Sequence, residues 1–121
     1  MLALGVGMSS SARPADLREI VGTVLAEAGW AWEEVAVVGT TRRLAHDQRL
    51  VRLGPRLVGF DRWALEAVGV PSRPSSVARR LLAPPVAEAA ALLAAGAGSH
   101  IVVPKRVGRY VTAAAAVGDR R

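Results

Sequence analysis

Two short segments of this sequence carry residue types that bind anions. In the first, Gly5-Val6-Gly7 leads into a run of serines, where backbone N–H groups and hydroxyls can hold an anion. The second is Thr40-Thr41-Arg42-Arg43, whose guanidinium groups suit carboxylates or phosphates. A tight turn with solvated serines is the alternative for the first segment. The candidate ligand-binding residues of the two segments are Gly5, Gly7, Ser9, Ser10, Thr40, Thr41, Arg42 and Arg43.

Three more charged residues are candidates for ligand binding. Glu88 is the lone acid of an otherwise apolar helix. It is either a binding or catalytic acid or a partner of the helix dipole, since it falls in the first turn. Lys105 and Arg106 follow Pro104 in a predicted turn, where a basic pair either contacts the ligand or is solvated. The pattern assigns no catalytic residue.

Several other chemistries lack their residues. The chain has no Cys, so disulfides, thiolate nucleophiles and Cys-based metal sites are excluded. His46 and His100 are far apart and have no acid cluster, so neither a metal site nor a Ser-His-Asp triad is predicted. A dinucleotide site needs a third glycine after Gly7 and an acid after the second strand, and both are missing. We predict no metal and no cofactor.

The charge balance favours an acidic partner. Sixteen basic and ten acidic residues give a net charge of +6, and 15 of the 16 basic residues are Arg. High-GC coding that replaces Lys with Arg is the alternative reason for this bias. A small nucleotide- or nucleic-acid-binding α/β domain is the alternative function, but the basic residues are spread without aromatic interleaving or a known motif. No membrane span and no targeting segment is predicted, so we expect a cytoplasmic protein.

Apolar periodicity predicts the elements that position these residues. The 121 residues suit one domain, 1–121, with a flexible tail at 118–121. Leu17, Ile20 and Val24 lie on one stripe of a helix that begins at Pro14 and stops at Gly29. The other predicted helices are 44–53, 62–68 capped by Asp61, 75 or 76 to 82, and 86–95. The predicted strands are 2–7, 35–39, 56–60, 100–103 and 109–117, with a turn at 104–108.

This order predicts a three-layer α/β/α sandwich with a mixed, mostly parallel sheet and a C-terminal β-hairpin. A strand, a helix and a second strand form a right-handed βαβ unit with a parallel pair. In such a sheet, ligands collect beyond the carboxyl ends of the strands. We therefore expect the loop 5–11 and the segment 40–43 to meet at one edge.

Three blocks in order resemble the CobE/CbiG C-terminal domain family of cobalamin biosynthesis. They are Leu4-Gly5-Val6-Gly7-Met8-Ser9, Pro84-Pro85-Val86-Ala87-Glu88-Ala89-Ala90-Ala91-Leu92 and Val102-Val103-Pro104-Lys105-Arg106. The resemblance implies an α/β/α sandwich that handles acidic precorrin or corrin intermediates and works with other cobalamin-pathway enzymes. It implies the stand-alone CobE-like form. Any catalysis would belong to the acetaldehyde-releasing step of the precorrin hydrolase CbiG, whose N-terminal part is missing from this sequence.

The sequence departs from the family pattern at three places. Met8, Ser9 and Ser10 stand where the family commonly has Cys and basic residues. Pro84-Pro85 replaces Pro-Ser, which removes a helix-capping hydroxyl. Arg42-Arg43 stands in the shortened segment that usually holds a lysine and acids, and an arginine replaces a lysine as a charge but not as a base.

Overall fold

The computed structural model describes residues 1–68 and 86–118, which are built around a five-stranded mixed sheet. The strands are β1 (Leu2–Met8), β2 (Val37–Thr41), β3 (Arg56–Phe60), β4 (His100–Val107) and β5 (Val111–Val117). In the order β3-β2-β1-β5-β4 they make two parallel pairs, β1–β2 and β2–β3, and two antiparallel pairs, β1–β5 and β4–β5. The parallel half comes first in the chain and the C-terminal hairpin completes the sheet.

Helices cover both faces of this sheet. The helices are α1 (Pro14–Ala28), α2 (Gln48–Val51), α3 (Arg62–Ala67) and α4 (Val86–Ala95), with 3₁₀ turns at Trp32–Glu34 and Arg42–Leu44. Leu17 of α1 and Leu50 of α2 share one core cluster with Leu4 of β1. On the other face, Ala91 of α4 packs with Ala3 of β1. The predicted α/β/α sandwich and C-terminal hairpin are confirmed.

Helix α1 forms where its periodicity predicts it. Leu17, Ile20 and Val24 are buried, so the predicted stripe faces the sheet. The Asp16 carboxylate accepts the Arg13 N–H at 3.0 Å and satisfies a donor at the helix start. Gly29 ends the helix in the left-handed conformation, with φ 74°.

Helix α4 lies directly on the sheet because both surfaces are built from very small residues. A Cβ added to Gly5 would overlap the carbonyl oxygen of Ala87, and one added to Gly39 would meet that of Ala90. Without side chains at these two glycines, the helix backbone approaches the backbones of β1 and β2 closely. This packing explains the glycine at the centre of each strand.

The hairpin turn lies further along the chain than predicted. Strand β4 continues through Pro104, Lys105 and Arg106 to Val107, and the chain reverses at residues 108–110. The prediction of a turn at 104–108 was therefore wrong. Strand β4 is at the sheet edge and its pairing is irregular between Ile101 and Arg106, which is where a proline is tolerated in a strand.

Two further boundaries and one helix cap differ from the prediction. The second strand spans Val37–Thr41 rather than 35–39, because its last residues pair with Gly59 and Phe60 of β3. The predicted helix 44–53 begins only after Asp47, whose carboxylate accepts the Arg49 N–H at 2.9 Å as an N-cap. Asp61 was expected to cap α3, but it makes no such bond and pairs with an arginine of the site described below.

The two ends of the described chain meet at the amino edge of the sheet. Gly118, expected in a flexible tail, is buried, and its N–H donates to the Met1 carbonyl at 2.9 Å. Residues 119–121 and the predicted helix at 75 or 76 to 82 lie outside the described residues. Within 1–68 and 86–118, no helix is long and apolar enough to cross a membrane.

Candidate ligand-binding site

The carboxyl ends of the parallel strands β1, β2 and β3 lie next to one another, and this end of the sheet is called its carboxyl edge. The parallel register pairs Thr41 with Phe60, so β2 and β3 end side by side. Met8 pairs with Val111, so the end of β1 lies beside the turn of the hairpin. Binding sites in open α/β sheets form at such edges, because loops from neighbouring strands converge there.

A pocket of about 560 Å³ opens at this edge, on the face covered by α3 and α4. Its volume is within the range of small-molecule sites, roughly 300–1,000 Å³. Apolar side chains and charged groups alternate around it. The lining residues are Thr41, Arg42, Arg43, Phe60, Asp61, Arg62, Leu65 and Val86.

Three arginines give the pocket its positive charge. Arg42 pairs with Asp61, with Nε 2.7 Å from Oδ1, and Arg62 pairs with Glu66 at 2.8 Å. Arg43 donates to the Met8 carbonyl oxygen at 3.3 Å. The two ion pairs are solvent-exposed and each is worth about 0–1 kcal/mol, so an incoming carboxylate can replace a partner at little cost.

The two adjacent threonines point to opposite faces of the sheet. Thr40 is fully buried, and its hydroxyl donates to the Val6 carbonyl at 2.8 Å. Thr41 lines the pocket, and its buried Oγ1 has no hydrogen-bond partner among the described residues. A buried hydroxyl without a partner costs about 1–3 kcal/mol, which a ligand oxygen would recover. Of the two predicted threonines, only Thr41 is placed to contact a ligand.

The serine loop, residues 9–12 after β1, differs from the prediction, because most of its backbone N–H groups are already hydrogen-bonded. Ser9 N–H donates to the Tyr110 carbonyl at 3.0 Å. Ser11 N–H donates to Ser9 Oγ at 3.2 Å, and Ala12 N–H donates to the Ser9 carbonyl at 3.2 Å. The expectation of a loop with free N–H groups was wrong. Ser10 is exposed, and no residue of this loop lines the pocket.

Arg49, which the sequence analysis did not single out, holds this loop in place. Its Nη1 donates to the carbonyl oxygens of Ala12 at 2.7 Å and Ser9 at 3.3 Å. Asp47 fixes the same guanidinium through bonds of 2.9 and 2.7 Å to Nε and Nη2. The bonded guanidinium lowers the pKa of the Asp47 carboxyl below its ordinary value.

The predicted glycines lie under α4 rather than at an open surface. Gly5 is buried beneath the helix backbone, as described above. A Cβ on Gly7 would lie 3.1 Å from Thr112 Oγ1 and 3.4 Å from Val86 Cβ. Gly7 therefore brings Val86 down to the pocket edge, and both glycines position α4.

The remaining predicted residues belong to α4 and β4 and do not line the pocket. Glu88 is fully buried, and its Oε2 accepts the Lys105 N–H at 2.9 Å. Arg106 pairs with Glu27 of α1 at 2.9 Å. Strand β4 is three strands from β2, or about 14 Å. The structure thus brings Thr41, Arg42 and Arg43 together and leaves this group apart.

Comparison with known proteins identifies the family of this domain. The family described as cobalamin synthesis G C-terminus matches residues 2–116. The chain belongs to this family. It is therefore a cobalamin biosynthesis protein of the CobE/CbiG C-terminal type. No curated protein matches the chain.

Solved structures share the fold of this family domain. CobE, described as a protein of the cobalamin (vitamin B12) biosynthetic pathway, aligns with a TM-score of 0.77 and 24% identity, over 96% of this chain and 92% of CobE. Cobalamin biosynthesis protein chiG from Agrobacterium tumefaciens aligns with a TM-score of 0.73 and 28% identity, over 99% and 100%. A putative cobalamin biosynthesis protein G homologue from Sulfolobus solfataricus aligns with a TM-score of 0.74 and 19% identity, over 98% of this chain and 37% of the homologue.

Sequence reasoning missed five of the eight residues that line the pocket in this cobalamin synthesis domain. Phe60 ends β3 and Asp61 follows it, and their position follows from the same rule that selected Thr41. Leu65 and Val86 reach the pocket only through the packing of α3 against α4. No spacing in the sequence signals that contact. For Arg49, the Asp47-x-Arg49 spacing at a helix start is the signal that was available.

Proposed function

We propose that this domain binds an acidic corrin-ring intermediate of cobalamin biosynthesis in the pocket at the carboxyl ends of β2 and β3. One observation supports this most: the pocket joins three arginines to an apolar wall and to the Thr41 hydroxyl, which has no hydrogen-bond partner within residues 1–68 and 86–118. Family membership supports a role in cobalamin biosynthesis, and the pocket chemistry supports an acidic ligand.

The chemistry of the ligand matches both parts of the pocket. Corrin precursors carry acetate and propionate carboxylates around a broad flat ring. Arg42 and Arg43 can each form charge-assisted pairs with a carboxylate. Thr41 Oγ1 can donate to a further ligand oxygen. Phe60 and Leu65 offer apolar surface to the ring edge.

Long-range charge supports the same ligand class. The net charge of +6 attracts a polyanion and raises the rate of encounter. The ion pair between Arg42 and Asp61 keeps one guanidinium oriented before the ligand arrives. Other enzymes of cobalamin biosynthesis are the protein partners that this role implies, since an intermediate is passed between successive steps.

Calorimetric titration with hydrogenobyrinic acid tests this proposal. We expect Arg43→Ala and Thr41→Val to weaken binding, by about 10- to 100-fold for the arginine, which is the size of one charge-assisted hydrogen bond. Arg56→Ala is the matched control, because Arg56 is an exposed arginine at the opposite end of β3. Thermal melts of each variant check that the fold is intact.

Three results would contradict the proposal. One is no heat of binding with the wild-type protein. A second is an equal loss of affinity in Arg43→Ala and Arg56→Ala, which would indicate nonspecific attraction. The third is tight DNA binding at physiological salt with a steep salt dependence, which would favour the nucleic-acid alternative.

A further inference from the structure

Tyr110 has the backbone conformation least suited to its side chain. Its φ is 63°, and it is the one non-glycine residue with positive φ in the described parts of the chain. A bulky side chain in the left-handed region is an outlier, and such strain concentrates at functional sites. Gly108 stands two positions earlier, so the turn places a tyrosine rather than its nearby glycine at the strained position.

Hydrogen bonds hold Tyr110 at the carboxyl edge of the sheet. Its carbonyl accepts the Ser9 N–H at 3.0 Å, which ties the hairpin turn to the serine loop. The Gly108 N–H donates to the Val111 carbonyl at 2.7 Å and closes the turn. The backbone of Tyr110 is thus held by the loop that Arg49 anchors, next to the end of β1 that Arg43 contacts.

The Tyr110 side chain is available to a ligand. It is 51% exposed, and the Arg109 guanidinium lies 5.6 Å from its ring centroid. A cation at this distance from an aromatic ring is attracted to it and limits its movement. An exposed ring next to a fixed positive charge can stack on a flat conjugated ring that carries carboxylates.

We propose that Tyr110 is a specificity-determining residue, which stacks on the ring of the acidic intermediate while the arginine pocket takes its carboxylates. This inference rests on the proposed function. The turn of the hairpin is two strands from the end of β2, or about 10 Å, so a broad ring can reach both places. Tyr110 thereby distinguishes a macrocycle from smaller polycarboxylates, which the pocket alone does not.

Variants that suit the strained backbone separate stacking from folding. Tyr110→Gly and Tyr110→Asn remove the ring, and both residues tolerate positive φ. We expect an unchanged or slightly raised Tm and about tenfold weaker binding of hydrogenobyrinic acid. Tyr110→Phe should bind like the wild type, because only the ring is needed. Val107→Ala, at a 71% exposed position of the same hairpin, is the control and should not change affinity.

The outcomes distinguish this inference from the proposed function. If Arg43→Ala weakens binding while Tyr110→Gly and Tyr110→Asn bind like the wild type, the arginine pocket stands and the role of Tyr110 is refuted. If Val107→Ala weakens binding as much as the Tyr110 variants, the effect belongs to the turn and the inference also fails. A wild-type protein that binds no corrinoid overturns both proposals.

Discussion

The two faces of the sheet differ in the size of the side chains that separate the helices from the strands. Against α4, glycine and alanine let the helix backbone lie on the strand backbones, as at Gly5 under Ala87. Against α1, long side chains such as Leu4, Leu17 and Val24 fill a wider space. At Gly5 and Gly39, the α4 face therefore has no room for an added methyl group. The stability of the α1 face depends on large buried side chains. We therefore expect added atoms to destabilise the α4 face and removed atoms to destabilise the α1 face.

The largest expected effect is overpacking of the α4 face. Gly5→Ala places a Cβ onto the Ala87 carbonyl, so the helix or the strand must shift. We expect a loss of about 4 kcal/mol or more in the free energy of unfolding, measured by urea denaturation. Gly7→Ala is the matched control on the same strand and face, where the nearest contact is 3.1 Å and a side chain can yield. Equal losses in both variants would contradict the close backbone packing.

Removal of atoms tests the α1 face. Leu17→Ala empties part of a fully buried site, and we expect a loss of about 2–5 kcal/mol. Val51→Ala, at a position that is 43% exposed, should cost less than about 1 kcal/mol. Urea denaturation measures both. A loss below 1 kcal/mol for Leu17→Ala would mean that α1 does not form the core of this face.

These two faces also explain which parts of the fold the sequence could predict. Helix α1 was predictable because large apolar residues at helical spacing indicate the buried stripe directly. The predicted strand β4 ended too early because Pro104 and the basic pair after it have the composition of a turn. Only the position of β4 at the sheet edge makes that composition acceptable in a strand.

The sequence predicts only those site residues whose position follows from the order of the strands. Thr41, Arg42 and Arg43 follow an apolar strand, and the rule for parallel sheets places them at the binding edge. The apolar wall depends on where α3 and α4 pack, which no local pattern encodes. Gly5 was misleading, because a glycine that admits a ligand and one that admits a helix have the same sequence signal.

Arg49 is a long side chain of α2, on the α1 face of the sheet, and it holds the serine loop. It bonds carbonyl oxygens of the serine loop that no shorter side chain at this position would reach. We expect Arg49→Ala to cost about 1–3 kcal/mol and to increase hydrogen exchange at Ser9–Ala12. Arg52→Ala, an exposed arginine three residues later, is the control. Unchanged exchange in the loop would show that Arg49 does not hold it.

The smallest expected effect is the pH dependence of the Arg49 anchor. The bonded Arg49 guanidinium lowers the pKa of Asp47 in the folded protein. Stabilisation by the pair is therefore complete above the unfolded pKa of about 3.9 and is lost as the pH falls through the lower folded value. The pair is worth up to about 1 kcal/mol, as expected for partly exposed ions.

Asp47→Asn isolates this contribution, because asparagine keeps the N-cap of α2 while losing the charge. We expect the wild type to have the higher Tm at pH 7, and the difference between the two proteins to shrink below pH 4. At a pH well below the folded pKa of Asp47, the two melting curves should converge, since both side chains are then neutral and both still accept a hydrogen bond. A difference that stays constant from pH 7 to pH 3 would show that the charge of Asp47 does not contribute to stability. In that case the serine loop would be anchored by the geometry of Arg49 alone, and the two faces would differ only in side-chain size.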